Sequence, residues 1–101
     1  MVLSGVLFSF GCTADENSKP DVYTIEIKEM KFQPAELTLK AGDSVVFINN
    51  DMVVHDVTEE KNKVWSSGLL AQGQSFKLVV RENEDYYCSL HVVMKGKLIV
   101  R

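Results

Sequence analysis

From Asp21 onward, apolar and polar residues alternate with a period near two, and the apolar positions are rich in β-branched and aromatic side chains. Gly, Pro, Asn and Asp bound the runs. The pattern predicts strands over Val22–Lys28, Glu36–Lys40, Ser44–Asn49, His55–Thr58, Ser75–Val80, Asp85–Cys88 and Lys97–Arg101. Ala41-Gly42-Asp43 and Ala71-Gln72-Gly73-Gln74 mark turns, each with a glycine where the backbone can take positive φ. No segment carries a long helical apolar stripe. Many short strands separated by turns predict an all-β fold, a two-sheet antiparallel sandwich with Greek-key connections. Strand alternation turns Ile25, Ile27, Leu37, Leu39, Val45, Phe47, Phe76, Leu78, Val80, Tyr86, Leu98 and Val100 inward. It puts Cys88 on the inner face with Tyr86 and leaves Tyr87 outside. Met30 is expected in the core, and Trp65 is expected to pack structurally.

The N-terminal pattern is different. Met1 to Gly11 hold no ionisable side chain and run apolar through Val2, Leu3, Val6, Leu7, Phe8 and Phe10, which reads as a secretion segment. A membrane-spanning helix needs about 20 apolar residues, so this run is short for one. Cys12 and the polar stretch Thr13–Asp21 resemble a bacterial lipoprotein junction, with lipid on Cys12 followed by a leash. The expected plan is a signal segment over 1–12, a linker over 13–21 and one domain over 22–101. Such a chain would work in the periplasm or on the outer face of a membrane. A Cys12–Cys88 disulfide is the alternative use of the two cysteines, and the leader position of Cys12 argues against it.

At 101 residues, 46% of them hydrophobic, the chain has room for a single core and no second domain. The net charge is -3, and the lysines are scattered among acids rather than gathered in a stripe, so no nucleic-acid partner is expected.

The chemistry concentrates in Cys88-Ser89-Leu90-His91-Val92-Val93-Met94, where a thiolate, an imidazole and a thioether follow one another three residues apart. His55 lies far upstream and reaches the same end only if the fold brings it there. Soft sulfur from Cys and Met with two imidazoles suits copper in both oxidation states, and a His₂Cys set with a weak axial Met marks a blue-copper site. Zinc accepts Cys and His, but a thioether adds little for it.

These residues stand within a wider pattern: Met30-Lys31-Phe32-Gln33-Pro34, Leu37–Asp43, Phe47-Ile48-Asn49-Asn50-Asp51, His55-Asp56-Val57, Ser67-Gly68, Tyr86–His91 and Met94-Lys95-Gly96. Over nearly all of Val22–Arg101 the chain resembles the cupredoxin family, including its plastocyanin- and amicyanin-like members. The resemblance implies that His55, Cys88, His91 and Met94 hold one type 1 copper ion. It also implies that Asn49 ties the ligand loops together behind the ligands, with Ser89 as its partner. The chain departs from the family at Val54, Leu90 and Val92, where proline is frequent, and at Glu84, where tyrosine is usual. Leu90 keeps a backbone N–H that proline lacks, and this N–H is expected to point at the Cys88 sulfur. The implied activity is single-electron transfer by a monomer that docks redox proteins transiently at its His91 end. Four ligands leave no open position, so no enzyme activity is expected. The competing reading is a periplasmic copper-binding protein or chaperone that stores or delivers the ion.

Overall fold

A computed structural model describes residues 19–101. The expected signal segment, most of the expected linker and Cys12, with the lipidation expected of it, lie outside them. Among the described residues eight strands follow in order: β1 Val22–Lys28, β2 Lys31–Gln33, β3 Glu36–Leu39, β4 Ser44–Asn49, β5 Thr58–Glu59, β6 Ser75–Val79, β7 Glu84–Cys88 and β8 His91–Val100. They form two four-stranded sheets, ordered β2-β1-β4-β6 and β3-β8-β7-β5.

The expected all-β sandwich is present, with one difference: the sheets are mixed. β1 runs parallel to β4, and β3 runs parallel to β8. The chain leaves β1 through β2, crosses to the second sheet at β3 and returns to β4 beside β1. Two crossings restore the original direction, which consecutive hairpins alone would reverse. The bounds of β1 and β4 match the sequence pattern. His55–Thr58 is not a strand but a single bridge from His55 to Leu70 followed by the short β5. The last strand begins at His91, six residues before the predicted Lys97.

All twelve side chains expected inward lie in the core or against it, joined by Phe32, Val57, Leu70, Cys88 and Met94. Aromatic rings join the sheets: Tyr86 on β7 meets Phe47 at 5.1 Å and Phe32 at 4.8 Å, both edge-on. Such pairs contribute about 0.5–1.5 kcal/mol each beyond their area. Trp65 stacks on Phe76 as a structural side chain. Met30 is not in the core. It is 41% exposed in the two-residue turn between β1 and β2, and Phe32 takes the inward place. Tyr87 lies outward, as expected, with the Lys63 ammonium 5.2 Å above its ring.

Buried carboxylates peg two turns. Asp43 accepts the Asp21 and Lys40 N–H groups, each at 2.9 Å, beside Gly42 with its φ of 99°. Glu59 accepts N–H from Val64 at 3.1 Å, Asn62 at 3.0 Å and Lys61 at 2.8 Å. These donors hold both carboxyls below their ordinary values of 3.8 and 4.5. Burial lifts Glu84 instead, against the Trp65 indole N–H. A carboxyl lowered on folding adds stability above its ordinary pKa and loses it as pH falls through the folded value. A raised one does the reverse. Asp43 and Glu59 therefore lose their contribution on acidification, and the unfolding free energy of the metal-free protein should fall below about pH 4. Urea unfolding across pH 7 to 3 checks this, and Glu59→Gln should make the fall shallower. A level curve down to pH 3 would contradict the assignment.

Candidate metal centre

Cys88 closes β7 with its side chain inward and fully buried, Ser89 and Leu90 make the turn, and His91 opens β8 opposite Cys88. The ladder loses register between His91 and Lys95, so Val92, Val93 and Met94 lie in a bulged stretch, the usual device for re-aiming side chains at a sheet's end. Met94 is buried in the core cluster. The sequence pattern leaves 89–96 as a loop, because a bulge breaks the period-two signal.

His55 comes from the β4–β5 connection and is fully buried. Its N–H donates to Leu70 O at 3.1 Å, and Leu70 N–H returns to His55 O at 2.7 Å. Asn49, at the end of β4, locks this loop. Its Nδ2 donates to Leu70 O at 2.8 Å and Val53 O at 2.9 Å, and its Oδ1 accepts Asp51 N–H at 2.8 Å.

The three donors converge. His55 Nδ1 lies 3.7 Å and His91 Nδ1 3.6 Å from Cys88 Sγ, and the three atoms are all within 4.8 Å of one another. The imidazole rings meet edge-on at 5.0 Å. Bonds of about 2.0 Å to imidazole nitrogen and 2.3 Å to thiolate sulfur sum to about 4.3 Å, so one ion spans either nitrogen–sulfur separation. Cys88 is a free cysteine and available as a ligand.

His55 is oriented from behind. Asp51 Oδ2 accepts from His55 Nε2 at 2.8 Å, which fixes the proton on Nε2 and leaves the Nδ1 lone pair facing the sulfur. The same carboxylate accepts Glu29 N–H at 2.7 Å and Met30 N–H at 3.0 Å. Those two non-glycine residues hold φ of 56° and 59°, the left-handed pair that a tight hairpin needs, and Asp51 secures them there. Burial pushes the Asp51 carboxyl up, but the Met30 N–H, the His55 ring and the Glu29 N–H outweigh it and hold it below the ordinary range.

Two expected contacts are made differently. Ser89 does not pair with Asn49; its N–H donates to Asp56 Oδ1 at 2.7 Å and its hydroxyl to Asp56 Oδ2. Asn49 is spent on Asp51, Val53 and Leu70, so Asp56 is what joins the two ligand segments. The N–H that reaches Cys88 Sγ is that of Asp56, at 3.4 Å, rather than that of Leu90. Leu90 sits at the turn, where its side chain is 48% exposed. Sequence reasoning missed both Asp51 and Asp56. The available signal was their position, four residues before and one after His55.

Comparison with known proteins agrees with this arrangement. Residues 1–100 match the family described as a cupredoxin-like domain. The chain belongs to the cupredoxin family. Among cupredoxins it is 32% identical to amicyanin-alpha of Methylorubrum extorquens over 82 residues, 75% of this chain and 69% of that protein. It is 30% identical to the amicyanin of Paracoccus versutus over 86 residues, 79% of this chain. The chain spans 65% of the length of that relative. Its fold is similar to a Cu(I) form of an amicyanin variant, with a TM-score of 0.74 and 28% identity over 79% of this chain and 82% of that one. In this cupredoxin His55, Cys88 and His91 are positioned as copper ligands, and the mixed soft and borderline donor set fits copper.

Proposed function

We propose that this protein carries single electrons between redox proteins outside the cytoplasm, using one type 1 copper ion held by His55, Cys88, His91 and, weakly, Met94. The observation that carries this reading is the convergence of two imidazole Nδ1 atoms on one buried cysteine sulfur. Bound copper would supply one-electron exchange between Cu(II) and Cu(I). The protein's part is to hold the donors still, so that little rearrangement accompanies a change of charge. His55 is clamped by Asp51 and Leu70, and Cys88 is fixed by the end of β7 and the Asp56 N–H. Met94, buried three residues after His91 in the same bulged stretch, is the residue we propose as the weak fourth ligand.

The surface around His91 supports a docking role. Met52, Val53, Val54, Leu90, Val92 and Val93 are all exposed, between 39% and 89%, and flank the two ligand histidines in sequence. His91 itself is only half-buried. An exposed apolar collar around a ligand suits brief encounters, which need little area and fast release. The apolar leader and Cys12 support secretion with a lipid tether.

Val92→Glu should leave the colour intact and slow electron self-exchange, measured by NMR line broadening in mixed Cu(I) and Cu(II) samples, by about tenfold, or ~1.4 kcal/mol of docking energy. An unaltered rate would refute docking at the His91 end. Storage or delivery of copper predicts instead that the ion leaves on reduction. The clamp on buried His55 favours retention.

A further inference from the structure

We propose that Asp56 is a fixed negative charge built into the metal centre, which selects a divalent over a monovalent ion and so sets the protein at the reducing end of the range its ligands allow. The proposal deepens the copper reading above and rests on it.

Asp56 follows the ligand His55 and is buried, with 6% of its surface exposed. Its backbone N–H meets the Cys88 sulfur at 3.4 Å. Its carboxylate accepts three neutral donors: Ser89 N–H at 2.7 Å and Thr58 Oγ1–H at 3.3 Å on Oδ1, and the Ser89 hydroxyl on Oδ2. Among the described residues no lysine, arginine or histidine forms an ion pair with it, whereas Asp21 and Glu60 each pair with a lysine and Asp85 with two. A buried carboxylate without a cation is costly, and hydrogen bonds from neutral groups spread its charge without cancelling it.

The positive charge that compensates Asp56 is therefore the bound ion. With a metal bound, Cys88 would be a thiolate and anionic too, as is the Asp51 carboxylate behind His55. Three negative groups against two neutral imidazoles interact more favourably with two positive charges than with one. If Asp56 served only to fasten Ser89, an amide would do as well. An asparagine side chain in its place would accept the Ser89 N–H and donate to the Ser89 hydroxyl, so the aspartate contributes charge beyond geometry.

The test is Asp56→Asn in the full chain, read in two ways. Competition titrations with Cd²⁺ and Ag⁺ give the divalent-to-monovalent affinity ratio without any redox step. A spectroelectrochemical titration of the copper protein gives the potential. The charge predicts a ratio about tenfold lower in the variant and a potential higher by ~59 mV, the equivalent of tenfold for one electron. Asp56→Ser, which removes the charge with a different geometry, should move both quantities in the same direction and serves if the amide variant does not fold. A blue variant whose ratio and potential stay at wild-type values would overturn the proposal and leave the copper site standing. A wild-type protein that binds copper without colour would overturn both.

Discussion

Cys88→Ser should abolish the intense thiolate-to-copper band and lower Cd²⁺ affinity by more than about 100-fold, since even groups behind the ligands cost about 10–100-fold when removed. The hydroxyl is close in size to the thiol and can still accept the Asp56 N–H that now reaches Sγ at 3.4 Å. The fold should therefore survive, although a hydroxyl at this fully buried position costs about 1–3 kcal/mol of metal-free stability. What disappears is the soft anionic donor on which both Nδ1 atoms converge. Absorption spectroscopy and urea unfolding on the same sample separate the two effects. A serine variant that keeps the band would place the metal elsewhere.

Gly96→Ala should be the most destabilising single change away from the metal. Gly96 on β8 pairs with Tyr86 on β7, and a Cβ there would fall inside the Tyr86 ring and hydroxyl. The ring cannot step aside: Tyr86 is fully buried, with Phe32 and Phe47 against it edge-on. Overpacking of this kind costs about 3 kcal/mol or more when the neighbour is rigid, which lowers the melting midpoint by about 12–24 °C in a domain of this size. Pairing the change with Tyr86→Leu should recover part of the loss, because the ring that blocks the methyl is then gone. A wild-type midpoint for Gly96→Ala would mean that the two strands separate freely at this point.

The parts of the fold legible in the sequence are those governed by short-range alternation. β1 and β4 are recovered to the residue because each has one buried and one wetter face. β2 spans three residues, too few for a period to register, and Met30 falls outside the core because the hairpin turns before Phe32. Parallel pairing of β1 with β4 depends on crossings between sheets, which no local pattern encodes. The spacing of Cys88 and His91 exposes two of the three converging donors, since a thiolate and an imidazole three residues apart, followed by a methionine, seldom fall together by chance. His55 needed the family pattern to join them. Asp51 and Asp56 looked like ordinary loop acids, because sequence does not distinguish a solvated carboxylate from one buried against ligands. Asn49 was legible as important, but its partner was not, since Ser89 is equally suited to Asp56.

The most direct test of the central claim is the visible spectrum of the wild-type protein loaded with Cu(II), then taken through ascorbate and ferricyanide several times. The electron-carrier account predicts an intense band toward the red that is lost and regained in full while copper stays bound. A colourless Cu(II) protein, or one that gives up its copper on the first reduction, would contradict it.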